Sequence, residues 1–559
     1  MAESSASPSA PTHADALFSQ LERWVAEKPD ALSVSFLKDL KLESTDCSFA
    51  EMYRLAQCGA ATYKNAGLQK GDRILIELPT SEVFAASILG AFYLGLVPAV
   101  IAPREERAGE TAELEWLHQL DLFNPKAVVT ELASVAHEHT LHIEPQSILL
   151  ADPLEAGERV HGNEMAYVQF SSGSTGAPKA LWLDMEAIVF NLEGMHRRIP
   201  VTNTHHVFSW LPVYHDMGFF GTFLLAMYVG NPLTMADPGL FARSPLLWFR
   251  VMQETACNCT VGPPSALTGA LHLLERRPIE GLDLSDCRRW LVGAEQVTPN
   301  LVRRFLAMSK QYGAPDNILM PVYGMAEVTL AATVPPSFAM PRYERVDRQA
   351  FEKKSVAVLA AEDAAPEAIL EWTACGSELD GQGMQITNEN GDVLPEREVG
   401  HILLKTKSLF SGYLVDDQVI PRTGEWYDTG DLGYIADSEI FVTGRSREVI
   451  IKNGRNYAPE RIEELAATVA GVGRGAAFGI FDERRQTERI VLFAEVQAKY
   501  LRDAENRDRM RLSIRNALAD AHFEIDEVQL FARGTLSRTT SGKIRRKAIQ
   551  QQYLEAASK

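Results

Sequence analysis

The chain has 559 residues, 46% of them hydrophobic and 23% charged, which excludes a disordered polypeptide and provides for a large buried core shared by two or more domains. Its formal net charge of -19 argues against general binding to nucleic acid or to an anionic membrane surface, so a small anion needs a local basic site. Six cysteines scattered without CxxC pairs point away from a zinc ribbon or disulfide framework and toward a reducing, cytoplasmic compartment.

Residues 1–14 have neither a basic n-region nor an apolar h-region and read as a disordered leader. Leu17, Leu21, Trp24 and Val25 recur at helical spacing before Pro29, which predicts a helix over 15–27. A helix over 49–65, a strand over 73–78, a buried helix to about residue 94 and a strand over 97–101 follow. The run 83–103 carries no charge, but Gly90, Gly95 and Pro98 punctuate it, so stable membrane insertion is not expected. A strand over 127–130 and the apolar run 147–150 continue the alternation, as does a second series over 187–330 with strands at 207–211 and 290–292 and a helix near 299–312. Residues 334–374, rich in Pro, Ala and Glu, read as an insertion-like segment. The expected fold is α/β: an N-terminal domain of α/β layers over 15–445, carrying a small β-rich subdomain at about 376–445, and a small mobile α+β C-terminal lid over 446–559.

Chemistry concentrates in five stretches. The loop 170–179, FSSGSTGAPK, combines hydroxyls at Ser171, Ser172, Ser174 and Thr175 with Gly173, Gly176 and the cation Lys179; it suits phosphate oxygens, and equally a flexible linker. It is not a GxxxxGK[ST] loop. LPVYHDMG at 211–218 places His215 after an apolar strand, where a core histidine is the plain alternative. VYGMAEVT at 322–329 offers the ring of Tyr323 and the carboxylate of Glu327, and WYDTGDLG at 426–433 sets Asp428 and Asp431 around Gly430; a core helix and a hairpin turn would explain these as well. The stretch 533–550 has six cations and no acid in an otherwise acidic chain, and its few aromatics favour one small phosphate ester over a nucleic acid.

Taken in order, FSSGSTGAPK, VYGMAE, YDTGD, TGRSREVIIKNGRNYAPERIE and TSGKIRRKA resemble the adenylate-forming (AMP-binding) superfamily of acyl-CoA synthetases, peptide-synthetase adenylation domains and luciferases over nearly the whole chain. WLPVYHDMG, LVGAEQV, CGSELDGQ, NGRNYAPERIE and the long stretch between Glu327 and Gly376 are similar to fatty acyl-AMP ligases. The resemblance implies ATP-dependent activation of a carboxylic acid to acyl-AMP, release of pyrophosphate, and transfer of the acyl group to a thiol. It implies that Ser171 to Lys179 hold the β- and γ-phosphates, that Glu327 and Thr175 serve Mg²⁺, and that Tyr323 and Gly324 receive adenine. Asp431 and Arg445 would bind ribose, Lys543 would bridge the substrate carboxylate and the α-phosphate, His215 would line the carboxylate entrance, and Arg447 would be the hinge. Two positions depart from the pattern: Ala180 follows Lys179 where glycine is usual, and Arg447 stands where Asp or Lys is usual.

An apolar tunnel for the acid is expected near Trp210, Phe219, Phe220, Phe223, Gly293, Gly324 and Met325, with the rings able to shorten it toward medium-chain, branched or aromatic acids. The implied acceptor is the phosphopantetheine of an acyl carrier protein, docked on a basic surface at Arg545, Arg546 and Lys547, with an acyl-CoA ligase or a catalytically silent acyl or nucleotide sensor as alternatives.

Overall fold

The computed structural model describes residues 15–104, 110–132, 140–160, 166–171, 178–199, 202, 204–453, 455–521, 523–539 and 543–557. The predicted α/β fold is present, with a large N-terminal and a small C-terminal domain. Two mostly parallel sheets lie in the large domain. One runs, in spatial order, through strands Gln418–Pro421, Gly412–Val415, Lys179–Asp184, Ala166–Ser171, Val97–Val100, Arg73–Glu77, Ala127–Thr130 and Leu141–Ile143. The other runs through Leu319–Pro321, Arg289–Val292, Cys259–Gly262, Val207–Ser209, Leu233–Ala236, Leu32–Leu37 and Ser44–Ser48. Short strands such as Ala127–Thr130 and Leu233–Ala236 are buried at every position, as expected where helices cover both faces of a parallel sheet.

Helix Glu82–Tyr93 is buried from Val83 onward, which accounts for its uncharged sequence, and no helix among the described residues is long and apolar enough to cross a membrane. The run 147–150 corrects the alternation expected there. It belongs to a short helix, Pro145–Leu150, because Pro145 fits the first helical turn, where its missing N–H costs nothing.

Strands Ala166–Ser171 and Lys179–Asp184 pair antiparallel with Ser171 opposite Lys179, so the two ends of the hydroxyl-rich stretch lie on neighbouring strands. Its residues Ser172, Gly173, Ser174, Thr175 and Gly176 lie outside the described residues.

Within 334–374, strands Tyr343–Asp347 and Ile369–Thr373 pair antiparallel around helix Arg348–Lys354, and Val346 and Trp372 share a core with Tyr434 and Phe441. An antiparallel sheet of Gly383–Thr387, Gly400–Lys405, Tyr427–Ala436 and Glu439–Arg445 precedes the last segment. That segment has a hydrophobic core of its own, drawn from Ile450 to Val528, under strands Val472–Asp482, Thr487–Val496 and Glu527–Ala532 and helices Pro459–Ala467 and Ala504–Asp520. The Arg348 guanidinium lies 5.6 Å from the ring of Phe523, joining the inserted helix to the C-terminal domain.

Candidate active site

A cavity of ≈ 2010 Å³ opens between the two domains and runs into the large one. That exceeds the few hundred to ~1,000 Å³ of a typical small-molecule site and leaves room for more than one ligand. Its walls gather residues just past the carboxyl ends of parallel strands: His215 after Val207–Ser209, Pro264 after Cys259–Gly262, Glu295 after Arg289–Val292 and Tyr323 after Leu319–Pro321. Open α/β sheets bind their ligands at that edge.

Tyr323 donates its hydroxyl to Asp431 Oδ2 at 2.7 Å, and Arg445 Nε lies 3.4 Å from Oδ1. Asp431 and Arg445 are cross-strand partners in the antiparallel sheet, so their proximity is built into the register. Burial outweighs the Arg445 and Lys543 charges and the Tyr323 hydroxyl, leaving the Asp431 carboxyl above the ordinary value. Each carboxylate oxygen can accept a second bond, so the pair can still receive two ligand hydroxyls. Gly324 is required by close approach: a Cβ there would lie 1.9 Å from the Leu330 carbonyl oxygen.

Glu327 sits on the single 3₁₀ turn Ala326–Val328, which Phe410 N–H ties down through the Glu327 carbonyl at 2.9 Å. No described lysine or arginine forms an ion pair with its carboxylate. Burial, with Asp216 and Asp431 adding, holds its pKa above the ordinary value. A partly buried carboxylate with Asp216 and Asp431 nearby, offset only by the Arg445 charge, suits a divalent metal that also takes phosphate oxygens.

His215 is held at the cavity by the bond from Gln169 Nε2 to the neighbouring Tyr214 carbonyl at 3.2 Å. Its Nδ1 meets Asp216 Oδ1 at 2.8 Å. Burial alone would raise Asp216, but the His215 ring, the Lys543 charge and the Met217 amide hold it below the ordinary value. Lys543 comes from the other end of the chain on a loop closed by Thr539 N–H to Lys543 O at 2.8 Å and Lys543 N–H to Thr539 Oγ1 at 3.1 Å. Burial in the cleft lowers its pKa, the Arg445 charge adds to that, and Asp216, Glu295 and Asp431 partly offset both. Five charged residues, Asp216, Glu295, Asp431, Arg445 and Lys543, thus share one field.

The remaining expected positions divide. Ser171, Lys179, Gly324, Met325 and Arg447 line the cavity, with Lys179 Nζ 5.0 Å from the Tyr413 ring and Arg447 exposed in the turn after Glu439–Arg445. Trp210, Phe219, Phe220 and Phe223 do not line it. Trp210 stacks on Phe241 at 3.6 Å, while Phe219, Phe220 and Phe223 pack on Tyr167 and Phe84 in the core. Gly293 packs against Val322, where a Cβ would lie 2.7 Å from Cγ2. The expected basic docking patch is also corrected: Arg545 pairs with Glu115, and Arg546 is enclosed by Glu448, Glu460 and Glu463. Sequence reasoning passed over Asp216 and Glu295, although both stand in the quoted stretches YHDMG and LVGAEQV; an acid directly after an apolar strand was the available signal. Glu295 accepts from Ser265 N–H at 2.9 Å and from its hydroxyl at 3.0 Å.

Comparison with known proteins agrees with this geometry. Rv1013 of Mycobacterium tuberculosis is 34% identical over 532 residues, covering 89% of this chain and 93% of that protein. The medium-chain-fatty-acid–[acyl-carrier-protein] ligase JamA of Moorena producens is 26% identical over 93% of this chain and 92% of its own. A solved structure from a study of fatty acyl-adenylate ligases of E. coli and L. pneumophila matches with a TM-score of 0.86 at 27% identity, covering 98% of this chain and 99% of that one. The profile of the AMP-binding enzyme family matches residues 21–414, well over half the sequence, and the chain therefore belongs to that family.

Proposed function

We propose that the protein activates a fatty acid as its acyl adenylate and passes the acyl group to the phosphopantetheine thiol of an acyl carrier protein. The observation that carries this reading is the convergence of Lys543 from the C-terminal domain with Asp216, Glu327 and the Tyr323–Asp431–Arg445 group on one cavity that is also lined by Met195, Ile199, Leu225, Ala226 and Val229. A carboxylate oxygen of the acid attacks the α-phosphorus of ATP, and the bond to the β-phosphate bridging oxygen breaks so that pyrophosphate leaves with the electron pair. Lys543 is the cation placed to neutralise charge between the carboxylate and the α-phosphate, in a site where low dielectric strengthens the effect.

Asp431 and Arg445 hold the ribose, Tyr323 and Gly324 face adenine, and Ser171 and Lys179 flank the triphosphate. Glu327 is the described residue that would hold Mg²⁺, which supplies charge neutralisation on the phosphate oxygens. His215, oriented by Asp216, stands at the carboxylate entrance. In the second half-reaction a thiolate attacks the acyl carbonyl and AMP leaves. Residues 446–559 act as the lid, with Arg447 in the turn about which it swings. The name of the Moorena relative supports the carrier-protein acceptor.

Pyrophosphate exchange over a panel of carboxylic acids, read by mass spectrometry for free acyl adenylate, tests the reading. Acid-dependent exchange that is lost in Lys543→Ala by about a thousandfold or more is expected for removal of the charge at the reacting centre. Near wild-type exchange from that variant refutes the role, and rapid acyl transfer to free coenzyme A without accumulation of the adenylate refutes the acceptor.

A further inference from the structure

We infer that Gly221 sets the bore of the acyl arm and admits a long, unbranched chain to the compartment beyond it. The inference rests on the acid-activating reading above and adds which tails can pass.

The chain from Asp216 to Val229 is one continuous helical run, made of Asp216–Gly218, Phe219–Leu224 and Leu225–Val229. Its rings at 219, 220 and 223 face the Tyr167 and Phe84 core, and a second stripe, Met217, Gly221, Thr222, Leu225, Ala226 and Val229, lines the cavity. Aromatic bulk and tunnel wall therefore occupy different faces of the same helix. Leu330 lines the cavity too, and a Cβ built on Gly221 would lie only 2.7 Å from its Cδ2. Any side chain at 221 must fill the neck or push Leu330 aside.

One and two turns further along the same stripe Leu225 and Val229 line the cavity, as do Met195, Ile199 and Val207. Three polar side chains of that region are bonded within the protein, and the His196 ring also lines the cavity. Thr222 donates to the Gly218 carbonyl, Asn231 Nδ2 to the His205 carbonyl at 2.9 Å, and Thr260 to the Phe208 carbonyl at 2.9 Å. Along Leu225, Val229, Met195 and Ile199 a ligand finds hydrocarbon contact, worth about fourfold in affinity per buried methylene. From Met217, beside the carboxylate entrance, to Val229 the run advances less than the ~18 Å of twelve α-helical residues, because Phe219–Leu224 is wound as a π-helix; that depth still suits a long chain over a short one.

The test uses the full-length protein with ATP and either hexanoic, palmitic or a branched acid, and reads kcat/KM for adenylate formation. Wild type is expected to favour palmitic acid. In Gly221→Val the palmitate-to-hexanoate ratio should fall by about tenfold or more, as the chain beyond the neck loses its contacts, and adding Leu330→Ala should restore it. A ratio unmoved by Gly221→Val in protein with a native circular dichroism spectrum overturns the inference, as does failure of the double variant to recover it. Leu330→Ala alone, which adds no atom and keeps the readout available if the valine variant does not fold, should raise the branched-to-linear ratio; no rise overturns the inference. Wild type that adenylates no acid at all is the separate failure of the acid-activating reading.

Discussion

Glu115→Gln tests how the adenylating arrangement is held. Arg545 lies two residues beyond Lys543, and its guanidinium reaches across the domain boundary to Glu115 on helix Glu110–Phe123. The same loop is closed by Arg545 N–H to the Ser537 carbonyl at 2.9 Å, so the position of Arg545 is transmitted to Lys543. The two side chains are 20% and 16% exposed, between the surface and buried cases. An exposed pair contributes about 0–1 kcal/mol, and breaking a fully buried one costs about 3–5 kcal/mol. A value of about 2 kcal/mol follows for this pair, or about thirtyfold in the equilibrium between this contact made and broken. In Glu115→Gln, adenylate formation measured by pyrophosphate exchange should fall by as much as that factor. Acyl transfer from preformed adenylate to a carrier thiol, measured in a single turnover, should not fall with it, because that step does not need Lys543 in place. The reversed pair, Glu115→Arg with Arg545→Glu, should recover part of the loss. Equal losses in both half-reactions, or no loss in adenylation, refute the reasoning.

Other expectations follow from the same geometry. Because burial and Arg445 lower the Lys543 pKa, kcat/KM for adenylation should decline as pH rises through that lowered value, and Lys543→Arg should move the decline to higher pH in a pH–rate profile. The raised pKa of Glu327 means that a proton competes with Mg²⁺ at a higher pH than for an ordinary glutamate; titrations across pH should show the apparent Mg²⁺ affinity weakening as pH falls, with the dependence much reduced in Glu327→Gln. Phe219→Ala should cost about 3–5 kcal/mol in denaturant unfolding because it leaves a cavity beside Tyr167 and Phe84, with acyl-chain preference unchanged. Tyr323→Phe removes the hydroxyl that Asp431 Oδ2 accepts and should raise KM for ATP several-fold with a smaller change in kcat, measured by exchange kinetics.

Much of this architecture is legible in the amino-acid sequence, for a local reason. Helix 15–27, helix 49–65 and strand 127–130 announce themselves because a 3.6-residue or continuous apolar pattern is a property of neighbouring residues, and the observed elements Ala16–Glu27, Phe49–Asn65 and Ala127–Thr130 match them closely. The run 147–150 misleads because three apolar residues after Ser147 cannot by themselves distinguish strand from helix, and Pro145 decides for the helix. Motif order discloses the family because the chemistry of ATP and a carboxylate needs particular residue types at particular intervals.

The sequence alone therefore determined the α/β alternation and the family, and it singled out some of the polar residues that line the cavity, among them Lys179, His215, Tyr323, Glu327, Asp431 and Lys543. Which face of the run 216–229 was core and which lined the cavity could be decided only by packing, since Phe219 and Gly221 lie two residues apart and their order in the chain does not say which way each faces. Tertiary structure likewise converted Arg545 and Arg546 from a supposed docking patch into partners of Glu115 and of Glu448, Glu460 and Glu463. The physical reason is the same in each case. A side chain's charge and size are written locally, while its neighbour is chosen by folding from residues as distant as 430 positions away.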